Sequence, residues 1–557
     1  MPRRTRLTEH SAGGPSGAVR AAAWAAITLA LAGLAAYYLL SSKQAAGELG
    51  LPLDDGWIHV RFAENLARGQ GFSFNPGEPT STTTSALWTL LLGAACSVTG
   101  EHLLTGIAVN FVLSLLLCAA VCQLALLLAP SRWLALGSAA VAALTVPLPW
   151  WMLSGMEPPL YGLLAVAGLA LHIAFRRSRG LRNVLPTVVF ALAGLARPEC
   201  FLLFPLAMID RLVMAAFVER AARPLLQWAR ELAIHLAIFS VIAAPLLIYN
   251  YRATGYPLPT SFYSKLQWQS VSGALASQHV SLAAALLVGP ARELGELLVV
   301  WAKDNAVLIV PFFFGMVWLV RRVLSHEQQC HRSLIVPMVL VAQPIVWAVV
   351  AGYRAPGYQS QRYLANLTPL FLVVGMVGGW WITERVAALR RPGVRALLFC
   401  AVLVASLARQ PSHARTYALN VKNTTEMQVT IGRWLRDNAA RGSLLAVNDV
   451  GAIGVISDLP VLDLQGLVTP EALEPRDMRH RAAGTAPRAL FEFIVEHRPD
   501  YLVIFPQWYP ELDGRRDLFT PVFGVALDDN ITCGAPVMAV YRTVWASEGR
   551  RKGGEPS

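Results

Sequence analysis

The sequence predicts a polytopic α-helical membrane protein that carries a small α/β domain at its C-terminal end. Three observations predict it. Of 557 residues 55% are hydrophobic and only 15% charged, where a soluble domain carries roughly 25% charged residues. Apolar segments of membrane-crossing length recur up to about residue 410, with short Arg clusters between them. Beyond that point hydropathy falls and short strand-like runs replace the long apolar ones.

The first element is an apolar run from Ala21 to Leu40, preceded by Arg3, Arg4, Arg6 and Arg20. It is too long for a signal-peptide core and no small-residue cleavage site follows, so it predicts an uncleaved anchor with residues 1–20 as a cytoplasmic tail. Further apolar spans follow at 103–128, 133–152, 158–175, 183–196, 198–217, 232–250, 292–320, 333–352, 363–383 and 394–409, which makes about eleven transmembrane helices. The pair 183–196 and 198–217 is individually short or polar-ended and could form one hairpin. The loops carry Arg176, Arg177, Arg179 and Arg182, then Arg220, Arg223 and Arg230, then Arg321, Arg322 and Arg332, then Arg385, Arg390, Arg391 and Arg395. With eleven spans all four clusters share the side of the N-terminus, as positive-inside orientation demands. Residues 41–102 then form an outer loop, with 85–98 lying along the interface, since counting 85–98 as a crossing inverts every later loop. Residues 21–410 are the transmembrane unit. Residues 411–547 form an extracytoplasmic α/β domain, with a helix over 424–439 and strands at Ser443–Val447, Tyr501–Phe505 and Val537–Tyr541. Residues 548–557 read as a disordered polar tail.

The formal charge of +12 raises the question of nucleic acid. The arginines sit between apolar spans and no basic patch with interleaved aromatics occurs, so no nucleic-acid partner is expected and the lipid bilayer accounts for the basic clusters. The seven cysteines (Cys96, Cys118, Cys122, Cys200, Cys330, Cys400 and Cys533) show no CxxC or Cys/His spacing and several lie inside apolar spans. They read as small packing residues.

Chemistry concentrates in the predicted outer loops. Asp54 and Asp55 follow Leu-Pro-Leu just beyond the first span. Adjacent carboxylates repel and cost desolvation, so two exceed what capping the helix predicted over 56–68 requires; one can cap while its neighbour serves as a general base. Glu157 is the only charge between Arg132 and Arg176, and an isolated acid at a membrane mouth points to function. Arg61, Arg197 with Glu199, Tyr263 with Lys265, and Arg362 with Tyr363 are predicted on the same outer face. Each cation alone could snorkel to lipid headgroups. Together, cations suit a phosphate leaving group and a carboxylate suits an attacking hydroxyl. The acid pair could hold a divalent cation, but the loop has no DxD spacing, so no metal or other cofactor is expected.

The run Asp54-Asp55-Gly-Trp-Ile, with Arg61, Asn65-Leu, Gly69-Gln-Gly, Phe74-Asn75-Pro-Gly-Glu78 and Trp88, resembles the first-loop signature of GT-C glycosyltransferases. The similarity is to the protein O-mannosyltransferase, aminoarabinose transferase and mycobacterial terminal arabinofuranosyltransferase types. Ser154-Gly-Met-Glu157, Arg197-Pro-Glu199, Pro257-Leu-Pro, Phe262-Tyr263-Ser-Lys265, Arg362-Tyr363, Asn448-Asp449 and the stretch around Asp463 are similar to recurring segments of that group. The resemblance implies GT-C architecture, a polyprenyl-phosphate-linked sugar as donor, a glycan, lipid or protein acceptor, and action outside the bacterial cytoplasmic membrane. It implies Asp54 as catalytic carboxylate with Asp55 beside it, Glu157 as a second acid, and Arg197 and Lys265 at the leaving phosphate. Thr82-Thr-Thr-Ser stands where mannosyl- and aminoarabinosyltransferases carry Lys-Pro-Pro-Leu, which removes a phosphate contact from that stretch. A transporter or flippase of lipid-linked sugars is the rival reading, but such proteins place charges at the midplane between repeated halves, and no repeat is visible here. A scaffold whose tail binds a partner is a third.

Overall fold

The computed structural model describes residues 14–81, 83–218, 224–264, 282–325, 332–350, 356–474 and 484–546. Lys265, Arg3, Arg4, Arg6, Arg220, Arg223 and the tail 548–557 lie outside the described residues. The first helices are α1 (Gly17–Ala46), α2 (Asp54–Ala67), α3 (Ala86–Thr99), α4 (Leu103–Leu128), α5 (Arg132–Ala143), α6 (Pro147–Leu153), α7 (Pro158–Phe175), α8 (Leu181–Ala196), α9 (Leu203–Val213), α10 (Leu225–Thr254) and the single turn α11 (Thr260–Ser264). Helices Leu282–Asn305, Ile309–Leu324, Ile335–Val350, Thr368–Arg385 and Pro392–Ala408 complete the bundle. Among the described residues seven helices are long and apolar enough to cross a membrane, or nine if each of two bent pairs is one span. α5 and α6 meet at 61°, and the turn Tyr358–Leu364 meets Thr368–Arg385 at 75°; in each pair the second helix carries proline in its first turn, Pro147 and Pro369, where its missing N–H costs no intrahelical bond. The segments at 183–196 and 333–352, counted among the eleven crossings, coincide with helices of 16 residues, short of the roughly 20 that a crossing needs.

The bundle core is apolar, with Trp301 stacked on Phe371 at 4.5 Å. Helices Ile309–Leu324 and Thr368–Arg385 approach so closely that a Cβ on Gly315 or Gly378 would strike the carbonyl of Val374 or Pro311. At the end away from the first loop, buried Asp210 of α9 accepts from His172 (2.8 Å), Ser333 (2.9 Å) and the Leu334 N–H (2.7 Å). A buried acid in a bundle is tolerated when so satisfied.

The C-terminal domain is a five-stranded sheet in the order β2-β1-β3-β5-β4, formed by β1 (Leu445–Val447), β2 (Val461–Asp463), β3 (Tyr501–Ile504), β4 (Phe519–Ala526) and β5 (Val537–Thr543). Strands β2, β1 and β3 are parallel, and β5 and β4 add antiparallel. Alternation divides its faces: Leu445, Val447 and Val503 join Ile431, Leu435 and Ile453, while Ala446, Leu462 and Leu502 pack on Leu490, Phe493 and Ile494. The predicted strands at 443–447 and 501–505 contain β1 and β3, and the predicted 537–541 covers all of β5 but its last two residues. Strands β2 and β4 were not expected; β2 has three residues, too few to show a period, and β4 carries Pro521 on an exposed edge.

The first loop is woven into this domain. Ile58, Phe62 and Phe74 lie in the same core as Ile453 and Val461. The Asn75 amide donates to the Val461 carbonyl (2.9 Å) and accepts its N–H (3.0 Å). Arg61 reaches Asp458 at 2.7 Å.

Candidate functional site

Helix α2 begins two residues earlier than the predicted 56–68, so the acid pair lies in its first turn while Leu53 is the N-cap with no side-chain bond. Asp54 caps another helix instead. Asp54 accepts the N–H groups of Gly451 (2.7 Å) and Ala452 (2.8 Å), which open the helix Gly451–Ser457 of the C-terminal domain. The backbones are close enough that a Cβ on Gly451 would strike the Asp54 carbonyl. Burial, then the charge of Asp449, pushes the Asp54 carboxyl above the usual carboxylate range, against the pull of its two N–H donors. Burial raises Asp449 too, against hydrogen bonds from Gln428 and Asn448.

Asp55 points elsewhere. Its carboxylate meets the Arg362 guanidinium at 2.5 Å. The two line a cleft of about 360 Å³, its open mouth included, with Ile58, His59, Thr83, Thr84, Glu157, Ser261 and Leu467. Arg362 is buried, donates to Met156 Sδ (3.0 Å) and to the Tyr363 hydroxyl (3.1 Å), and keeps Nε without a partner. It is held from behind, where the Tyr161 hydroxyl donates to its carbonyl. The three residues before it, Gln359, Ser360 and Gln361, all have positive φ (48°, 51° and 60°). Non-glycine residues hold that conformation only at a cost, and here it turns the chain so that Arg362 enters the cleft.

Glu157, the N-cap residue of α7, is 1% exposed. It pairs with Arg197 at 2.5 Å and lies 3.3 Å from His59 Nε2. Burial opposes its charge, but Arg197, His59 and Arg362 outweigh burial and hold the carboxyl well below the usual range. Arg197 is shared, with Glu199 also at 2.5 Å and the Tyr363 ring 4.7 Å beneath its guanidinium. His59 Nδ1 faces the hydroxyls of Thr89 (3.0 Å) and Thr83 (3.2 Å). The arrangement offers an oriented carboxylate beside a cation with a donor to spare. Among the described residues no three His, Cys, Asp or Glu side chains gather as a metal site.

This architecture has solved counterparts. The chain is similar to the oligosaccharyltransferase of Archaeoglobus fulgidus complexed with Zn and sulfate, at TM-score 0.55 and 12% identity over 92% of this chain and 73% of that one. It is equally similar to ArnT from Cupriavidus metallidurans bound to undecaprenyl phosphate, at TM-score 0.55 and 12% identity over 94% of this chain and 98% of that one. The oligosaccharyltransferase AglB of Archaeoglobus fulgidus, with an inhibitory peptide and a dolichol-phosphate, matches at TM-score 0.52 and 12% identity over 93% and 75%. The chain has the GT-C fold. No curated protein matches it, and a family model described as a domain of unknown function, DUF8728, covers residues 417–546.

Within the GT-C fold, the predicted residues divide. Asp55, Glu157 and Arg362 line the cleft, with Arg197, Glu199 and Tyr363 directly behind them. Asp54 and Arg61 join the first loop to the C-terminal domain. The Tyr263 ring packs at a tilt against Tyr256, centroids 4.6 Å apart, two residues from the cleft residue Ser261. Asp449 lies beside the Asp54 clamp, and Asp463 accepts the N–H groups of Gln465 (2.7 Å), Leu467 and Val468 (2.8 Å) in a tight turn. His59, Thr83, Thr84, Ser261 and Leu467 were not singled out from sequence. His59 had a signal: it lies four residues after Asp55, on the same face of α2.

Proposed function

We propose that this protein transfers a sugar from a polyprenyl-phosphate donor to a hydroxyl of a cell-envelope acceptor, at the extracytoplasmic face of a bacterial inner membrane. The observation that carries the reading is the Asp55–Arg362 pair at the wall of a bundle with the GT-C fold. ArnT bound to undecaprenyl phosphate and AglB with a dolichol-phosphate support a donor of that class.

In the reaction the acceptor oxygen attacks the anomeric carbon, the bond from that carbon to the phosphate oxygen breaks, and the acceptor proton passes to Asp55. The stereochemistry inverts in a single displacement. Arg362 receives the charge that builds on the departing lipid phosphate. Its pairing with Asp55 makes the two events sequential: a donor phosphate competes for the guanidinium and releases the carboxylate to the acceptor. The roles therefore shift within the acid pair, with Asp55 as base and Asp54 as clamp. Arg197, already neutralised by Glu157 and Glu199, serves as a strut beneath the cleft. A lipid phosphate leaves readily as an anion, so a general acid is not required.

Membranes containing the protein, supplied with radiolabelled polyprenyl-phosphate mannose, glucose, galactose, arabinofuranose and 4-amino-4-deoxyarabinose, are expected to move label from one of them into the envelope fraction, and Asp55→Asn membranes are not. Accumulation of label inside vesicles with no covalent product would replace the reading with transport.

A further inference from the structure

Besides Asp55 and Arg362, the cleft is lined by residues from two distant parts of the chain, Ser261 and Leu467, which the mechanism above leaves without a task. Ser261, in α11, is 4% exposed and its hydroxyl has no hydrogen-bond partner. A buried hydroxyl without a partner is costly, and this one lines the cleft. Leu467, from the C-terminal domain, lies beside it on the same cleft. The two are fastened together, since Thr260 Oγ1 donates to the Leu467 carbonyl at 2.6 Å.

Leu467 is held rigidly. The Asp463 carboxylate gathers the N–H groups of Gln465, Leu467 and Val468, and Gly466 makes the turn at φ 73°, where a Cβ would also collide with Leu473. The Gln465 amide is tied to the Tyr509 hydroxyl at 2.7 Å. A hydroxyl and an apolar side chain fixed side by side match a sugar ring, which offers hydroxyls at its rim and C–H groups on its faces.

The geometry points to Ser261 and Leu467 as the residues that determine which sugar is transferred, Ser261 by bonding one ring hydroxyl and Leu467 by packing on the ring. This inference rests on the glycosyl-transfer reading and names the sugar-recognising part of that site.

The purified full-length protein in lipid nanodiscs is assayed with the five polyprenyl-phosphate sugars and their monodeoxy counterparts. The wild type is expected to use one sugar and to lose about tenfold in kcat/KM on one of its monodeoxy forms. Ser261→Ala should lose about as much on the parent sugar and no longer separate the two. Leu467→Ala should slow parent and deoxy donors alike and keep them separated. If Ser261→Ala does not fold, Ser261→Cys, of similar size and a poor donor, carries the same outcomes. A Ser261 variant that separates the donors as the wild type does overturns the inference while wild-type transfer still stands. Transfer from none of the five sugars overturns both.

Discussion

Asp54 and Asp55 are adjacent in sequence, yet a helix turns about 100° per residue, so the first turn of α2 sends one carboxylate to the C-terminal domain and the other to the cleft. Substitutions should separate the two tasks. Asp55→Asn is expected to lower transfer by roughly 10²–10⁴-fold, the range for a lost general base, with thermal unfolding in detergent unchanged. Asp54→Ala should do the reverse, weakening the seam by about 1 kcal/mol through the lost cap and making the junction near Gly451 a preferred site of limited proteolysis. Parallel loss of transfer and an unaltered digestion pattern in Asp54→Ala would return the base to that residue. Arg362→Lys keeps the charge but loses the planar fork that reaches Asp55, Met156 and Tyr363 together. A fall in turnover of roughly 10²-fold is expected, measured at saturating donor.

At the scale of elements, glycine contacts decide how closely parts approach. Replacing a helical glycine by alanine ordinarily stabilises by about 1 kcal/mol. Gly378 should behave oppositely, because a Cβ there would overlap the Pro311 carbonyl of the neighbouring helix and neither backbone can step aside. Overpacking of that kind costs roughly 1–3 kcal/mol, so Gly378→Ala is expected to lower the thermal midpoint of the bundle, read by differential scanning fluorimetry in detergent. Gly393, which a Cβ would leave in open space at the start of Pro392–Ala408, is the control that should not fall.

For the whole molecule, the seam between first loop and C-terminal domain carries a pH dependence. The carboxyls of Asp54 and Asp449 are both raised, by burial first, whereas an unfolded aspartate titrates near 3.9. From about pH 4 upward to the raised values the folded protein therefore binds more protons than the unfolded chain, and stability falls as pH rises through that window. Between about pH 5 and 8 the thermal midpoint of the wild type should therefore decline relative to that of Asp449→Asn. A difference between the two midpoints that stays constant across that window would remove the carboxyl pair from the account.

The sequence by itself determined the membrane character, the C-terminal α/β domain and the resemblance to the GT-C fold, and it singled out Asp55, Glu157 and Arg362, which line the cleft. Hydrophobic length, charge asymmetry and a run such as Asp54-Asp55-Gly-Trp are local properties, legible wherever the chain folds. Only the tertiary structure decided which acid faces the cleft, that Arg362 meets it there, and that Ser261 and Leu467 line the same cleft. Those facts depend on side chains 200 or more residues apart in sequence, such as Asp55 and Arg362 at a separation of 307. Helix phase, proline bends and a shared core bring them together, and no local pattern records such contacts.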